Sequence, residues 1–157
     1  METNINMVQN KKKRHMLALG KNIPYLKMIK SYFEKVNYSV VTANSFRRAH
    51  GILKNQTIDC MLLDVAGAYG EVLRFVKNCR SEKGSDSVKA DIAVMLILEY
   101  EDKRFIHKAL EVGADDYVCN NQDFSIVKLR LDLLLERNFY RRKVVDLQNS
   151  LPDSKVS

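Results

Sequence analysis

The chain has 157 residues, enough for one domain with a real core and a short extension. Hydrophobic residues make up 46% and charged residues 29%, no apolar run reaches spanning length, and the N-terminus is polar and then basic, with no signal-peptide pattern. A membrane-embedded or secreted chain is thereby set aside, and the expected compartment is the cytoplasm. The net charge of +7 gathers in two runs, Lys11-Lys12-Lys13-Arg14 and Arg137 to Lys143; they read as solvated flanks, with binding to nucleic acid or anionic lipid as the competing use.

Met1 to Asn10 is polar and aperiodic, and residues 1–13 form an expected disordered basic tail. His15 to Leu19 is a first short strand, and Gly20-Lys21-Asn22 a loop. Pro24 suits a first helical turn capped by Asn22 or Ile23, and the helix reaches about Val36 with Leu26, Ile29, Tyr32 and Phe33 on one side. Asn37-Tyr38 turns into a second strand, Ser39 to Ala43. Asn44 and Ser45 cap a second helix that ends near Lys54.

Ile58 to Asp64 is an apolar run closed by a carboxylate, the pattern of a strand covered on both faces. In an open parallel sheet the strands' carboxyl ends face the ligand crevice, so Asp64 stands where a functional carboxylate would. Ala66 to Gly70 is a flexible loop, Glu71 to Ser81 a third helix with Val72, Leu73, Phe75 and Val76 inward, and Ser81 to Lys89 a polar surface loop. Ile92 to Leu98 is apolar throughout and reads as a central strand. A fourth helix covers about Glu101 to Val112, with Gly113 as its left-handed stop. Tyr117 to Cys119 is a fifth strand. Asn120 to Asp123 is a loop, with Asp123 capping a last helix from Phe124.

Five strands alternating with five helices predict a parallel sheet with right-handed crossovers and helices on both faces, in the flavodoxin-like order 2-1-3-4-5. Cys60, Cys79 and Cys119 are scattered without CxxC spacing and read as reduced, mostly buried thiols. His15 and His107 stand alone, and solvated or locally bonded roles are expected of them. No Gly-rich phosphate loop or catalytic constellation appears, so an unrelated flavodoxin-like enzyme is a distant alternative, and no catalytic residue or resident metal is assigned.

Two stretches, Met61-Leu62-Leu63-Asp64 and Ala109-Leu110-Glu111-Val112-Gly113-Ala114-Asp115-Asp116-Tyr117, make residues 14–136 resemble the receiver domain of two-component response regulators, the CheY-like fold. The spacing between elements agrees, except that the loop after Asp64 is about two residues short. The resemblance implies that Asp64 holds the phosphoacceptor position. In such receivers two acids after the first strand help hold Mg²⁺, a Thr or Ser ends the fourth strand, and a Lys-Pro pair follows the fifth. The physical need is plain: phosphoryl transfer depends on positioning and on neutralising the equatorial oxygens, and Mg²⁺ wants carboxylate and phosphate oxygens with waters.

Carried over position by position, this set fails. The acidic pair falls on Gly20 and Lys21, the hydroxyl on Leu98, with Glu99 beside it, and the Lys-Pro pair on Asn120 and Asn121; the switch aromatic is matched by Tyr117. Mg²⁺ binding is therefore expected to be weak or absent. Two uses of Lys21 stay open: it occupies the metal's space and pairs with Asp64, or it points into solvent. Asp115 and Asp116 are taken as structural, ordering the turn into the fifth strand.

The last helix has Val127, Leu131, Leu134 and Leu135 facing the sheet. It continues through residues 137–157, where Tyr140, Val144, Leu147 and Leu151 alternate at four and three, the start of a coiled-coil seam interrupted upstream by Arg137. A frayed basic tail is the plainer alternative. In many response regulators such a helix leads to an output domain, with Pro152-Asp153-Ser154 then a hinge.

The expectation is a non-enzymatic pseudo-receiver in two-component-type signalling, a phosphorylation-independent interaction or dimerisation module. Its contacts would run through the fourth helix, fifth strand and last helix, to a protein partner or a second copy. The alternatives are a receiver still phosphorylated on Asp64 with a weak metal site, and a basic adaptor for nucleic acid or anionic membrane.

Overall fold

The computed structural model describes residues 12–81 and 91–152. The tail expected over residues 1–10, residue 11 of the basic run, residues 82–89 of the expected loop and residues 153–154 of the expected hinge lie outside them. The strands are β1 (Arg14–Leu19), β2 (Tyr38–Ala43), β3 (Cys60–Asp64), β4 (Ala93–Leu98) and β5 (Asp116–Cys119). The helices are α1 (Ile23–Glu34), α2 (Phe46–Asn55), α3 (Tyr69–Ser81), α4 (Lys103–Val112) and α5 (Phe124–Ser150). All four strand pairings are parallel, in the order β2-β1-β3-β4-β5, as the alternation of elements predicts.

The central strands are apolar throughout because both faces are covered, and alternation sends successive side chains to opposite sides. Leu17, Leu19, Met61, Leu63, Val94, Leu96 and Leu98 pack against α2, α3 and α4. Met16, Ala18, Cys60, Leu62, Met95 and Ile97 pack against Leu26, Ile29 and Phe33 of α1 and Val127, Leu131 and Leu135 of α5. Cys60 and Cys79 are buried, Cys119 half-buried, and all three are free.

Caps set the helix starts. Asn22 accepts from the Tyr25 amide, Ser45 from Arg48, Asp102 from Phe105 and Asp123 from Ser125. The structure moves several expected bounds by a residue or two. Tyr38 is not a turn residue but the first of β2, fully buried, with its hydroxyl donating to Asp132 at 2.7 Å; left-handed Asn37 (φ 72°) makes the turn before it. Ile58 and Asp59 precede β3, and Asp59 accepts from the His15 amide at 2.8 Å. The expected flexible loop after Asp64 is shorter, because α3 already begins at Tyr69.

α5 is a single 27-residue helix with no break at residues 136–137. No helix among the described residues is long and apolar enough to cross a membrane.

Candidate functional site

Asp64 ends β3 between the carboxyl ends of β1 and β4 and is half-buried. Gly20, the first residue after β1, is fixed by its amide donating to the Ala43 carbonyl at 3.1 Å. That bond continues the β1–β2 pairing by one residue, and the β1–β3 register, with Leu19 opposite Leu63, leaves the Gly20 backbone against Asp64. A Cβ on Gly20 would stand 2.9 Å from the Asp64 Cβ and 3.4 Å from its Oδ2. Gly20 is required here by close approach, since its φ is unexceptional. An acid cannot replace it without moving β1 or β3. A solvent-open cleft of about 30 Å³ remains between Leu19, Gly20, Lys21, Asn44 and Asp64. That holds about two or three waters inside its mouth, a tight fit for Mg²⁺ with the waters it keeps.

The turn after Asp64 contributes to the closure. The Val65 amide donates to the Ile97 carbonyl at 3.0 Å, and the Ala68 amide to the Val65 carbonyl at 2.8 Å. Ala66 (φ 39°) and Gly67 (φ 82°) are both left-handed, the pattern of a type I′ turn. A turn this tight accounts for the missing residues in the loop. It also holds a non-glycine residue in a conformation that costs about 1 kcal/mol or more.

The charges at Asp64 do not compensate it. Burial pushes its carboxyl above the usual range, and the charge of Glu99 adds to the rise. Asp64 makes no hydrogen bond or ion pair among the described residues. The pairing of Lys21 with Asp64 is not formed: Lys21 lines the same cleft but is exposed, and no ion pair joins the two. A lysine at an exposed bend keeps its rotamer freedom and hydration, which a surface pair would return with little gain. Lys21 therefore follows the solvent-facing alternative.

The remaining receiver positions are brought to the same edge with altered chemistry. Leu98, only 2% exposed, ends β4 and fills the hydroxyl position with methyls in the core that includes Phe105 and Ala109. Its carbonyl accepts from the Asn120 amide at 2.7 Å, and the Asn120 side chain is exposed. Tyr117 is half-buried, with its hydroxyl 3.4 Å from Glu101, whose charge raises the phenol's pKa. Among the described residues no group of three or more His, Cys, Asp or Glu is gathered as a metal site, and Asp64 with Glu99 alone is a poor donor set for Mg²⁺. Sequence reasoning missed an aromatic clamp beside the site. Tyr69 lies edge-on to Phe105 with ring centroids 4.6 Å apart, and its hydroxyl meets that of Tyr100 at 3.3 Å. That bond, then desolvation, pushes the Tyr69 hydroxyl up to about 12.

At the opposite end of the sheet lies a second acidic centre that is fully answered. Asp115 accepts from the Val94 amide at 2.8 Å, from Arg80 at 2.9 Å and from Arg137 at 2.7 Å. Arg80 also donates to the carbonyls of Gly113 and Ile92. Asn138, 9% exposed, accepts from Arg137 and donates to the Asp91 carbonyl at 2.7 Å, and Arg142 pairs with Asp91 at 3.4 Å. Gly113 (φ 119°) stops α4, and a Cβ there would stand 2.6 Å from the Arg80 Cγ. Asp116 accepts from the Tyr117 amide and pairs with Arg130. Both aspartates thus act as structural groups. Much of the second basic run is used internally: Arg137 and Arg142 pair with acids, and Lys143 sits 4.7 Å over the Phe139 ring.

His15 donates its backbone amide to Asp59, a contact between distant segments that does not involve the imidazole, and exposed His107 sits 3.8 Å from Glu111 one turn further along α4.

No family model matches the chain. A probable transcriptional regulator, ycf27 of Cyanidium caldarium, is 27% identical over 129 residues, 82% of this chain; the chain spans about half of that relative's length, 49%. A response regulator from Thermotoga maritima superposes with a TM-score of 0.69 at 19% identity, covering 79% of this chain and 98% of that one. NtrX from Brucella abortus, in complex with ATP, superposes with a TM-score of 0.76 at 15% identity, covering 90% of this chain and 31% of its own. The receiver domain of the regulator TorR matches at 24% identity with a TM-score of 0.69, over 79% of this chain and 98% of that one. The fold is that of the receiver domains of response regulators, the CheY-like fold.

Proposed function

We propose that this chain, which has the fold of a response-regulator receiver domain, is a pseudo-receiver: a non-enzymatic signalling module that acts by binding and is not switched by phosphorylation of Asp64. The observation that carries this reading is the packing of the Gly20 backbone onto Asp64, where a receiver would hold an acid and its metal. The chemistry around it agrees. A phosphoryl group on Asp64 would add negative charge beside Glu99, with no lysine at Asn120 and no hydroxyl at Leu98 to receive it. A switch needs two states that a ligand binds differently, and here the phosphate-coupled partner of Tyr117 is replaced by apolar core. A cytoplasmic location goes with this reading. So do contacts through α4, β5 and α5 with a protein partner or a second copy, and an output domain in a longer chain, with nucleic acid not the expected partner.

The second reading is a receiver phosphorylated on Asp64 with a weak metal site. Its support is the proximity of two carboxylates, Asp64 and Glu99, close enough for one to raise the other's pKa. Acetyl phosphate with Mg²⁺, followed by intact-mass measurement, separates the two. No mass gain is expected for the pseudo-receiver; a gain of one phosphoryl group that disappears in Asp64→Asn would establish the second reading.

A further inference from the structure

α5 carries apolar residues on two faces. Val127, Leu131, Leu135 and Asn138 are buried on the domain. On the far side, Ile126, Leu129 and Leu133 stand exposed although they lie within the domain's span. Beyond it, Tyr140, Val144, Leu147 and Leu151 are exposed as well, and all seven show between 40% and 67% of their surface. At about 100° per residue these seven fall within roughly 60° of one another, about 160° around the helix from the buried face. The stripe therefore points straight away from the domain and runs about 38 Å along α5. Phe139 and Val145 are exposed off this band; the band itself has the width of a coiled-coil seam, where an amphipathic helix lying on a membrane presents a broader face.

We infer that the occupant of this stripe is a second copy of the chain, in a parallel, in-register two-stranded coiled coil along α5. In the heptad that places Ile126, Leu133, Tyr140 and Leu147 at d, Val144 and Leu151 fall at a, with Arg130 and Arg137 at the earlier a positions. Arg137 is turned back to Asp115 at 2.7 Å, which takes its charge off the seam. Glu136 then falls at g and Arg141 at e, five residues on, the spacing at which parallel helices form an interchain pair. The antiparallel pairing of the tips that sets Leu147 against Val144 places Lys143 against Ser150 and Arg141 against Gln148, with no opposite charges to meet. Asn138 and Arg142, tied to Asp91, fix the angle at which each domain leaves the seam. This deepens the reading above, naming the partner of the same module.

The test uses the full chain. Leu147→Cys under mild oxidation should cross-link as a homodimer, because parallel register sets residue 147 against itself. A cross-link that forms only when Leu147→Cys is mixed with Val144→Cys would mean an antiparallel pair and overturn the proposal. Val144→Asp should weaken self-association, followed by analytical ultracentrifugation, about thirtyfold or more. Because position 144 is 53% exposed, the fold should survive, and an unchanged circular dichroism melt checks this. Glu136→Arg and Arg141→Glu should each weaken the dimer several-fold, and the double exchange should recover it. A wild-type chain that stays monomeric at hundreds of micromolar would refute the coiled coil and leave the pseudo-receiver reading standing. Phosphorylation of Asp64 in a dimeric sample would do the reverse.

Discussion

Two aspartates lie at opposite ends of one parallel sheet, and the chain treats them in opposite ways. Asp115, at the amino end of β5, accepts from one amide and two guanidiniums, and through Arg137 it ties α5 to the sheet. Asp64, at the carboxyl end of β3, is half-buried with no partner among the described residues, and its carboxyl is pushed upward by burial and by Glu99. A buried charge that is answered on every side is part of the architecture; one held against a glycine backbone with no cation is strained wherever it stays ionised. In this molecule the carboxylate that looks functional in the sequence makes no hydrogen bond among the described residues, and the one in the turn joins β4, α3 and α5.

The sharpest way to break the contrast is to remove Asp115. Asp115→Ala leaves the Val94 amide without its acceptor and takes one carboxylate from two guanidiniums that keep their carbonyl and amide acceptors, and should cost about 2–4 kcal/mol, read from urea denaturation. A loss of under 1 kcal/mol would show that the latch is ornamental. At the other end, Gly20→Asp restores the first receiver acid but places its Cβ 2.9 Å from that of Asp64 and adds a third carboxylate near Glu99. It should destabilise by about 1–3 kcal/mol, and Mg²⁺ should recover little of that loss. Recovery of full stability at millimolar Mg²⁺ would mean that the cleft opens to admit the ion.

Asp64→Asn should move stability the other way. The folded-state pKa of Asp64 is raised, so between the unfolded value and the raised one the folded chain binds more protons than the unfolded chain. The wild type therefore loses stability as pH rises through that window, and the penalty is fully present above the raised pKa. Asp64→Asn should be more stable at pH 7, by at most about 1 kcal/mol after allowing for solvent screening, and the advantage should vanish in acid. Thermal melts from pH 3 to 7 would show it, and a mutant less stable than wild type at pH 7 would contradict the account. The smallest effect is expected at Ala66, whose left-handed φ of 39° suits glycine better; Ala66→Gly should raise stability by a few tenths of a kcal/mol to about 1 kcal/mol. A drop in the melting temperature would argue against the strained turn.

Much of this is legible in the sequence. The apolar runs over residues 58–64 and 92–98, the left-handed stop at Gly113 and the caps at Asn22, Ser45 and Asp123 are local signals, and they carry the strand order and the placing of Asp64 at the crevice. The site's inner contacts are not. Gly20 meets Asp64 across 44 positions with no pattern to announce it, and glycine in a loop reads as flexibility until the distance is known. The Arg80–Asp115–Arg137 latch joins three segments, and each member taken alone is an ordinary surface charge. The Tyr69–Tyr100 contact is of the same kind. The seam on α5 is half visible, as Tyr140, Val144, Leu147 and Leu151. Arg137 interrupts it in the sequence because its turn toward Asp115 depends on the fold, and the buried face of the same helix masks Ile126, Leu129 and Leu133.

The most direct test of the central claim is an amide NMR titration of the full chain with Mg²⁺ and then with beryllofluoride, which mimics a phosphoryl group on a receiver aspartate. A closed, uncompensated site predicts no shifts beyond those of ionic strength. Saturable shifts clustered at Gly20, Asp64, Leu98 and Asn120 would contradict it and restore Asp64 as a working phosphoacceptor.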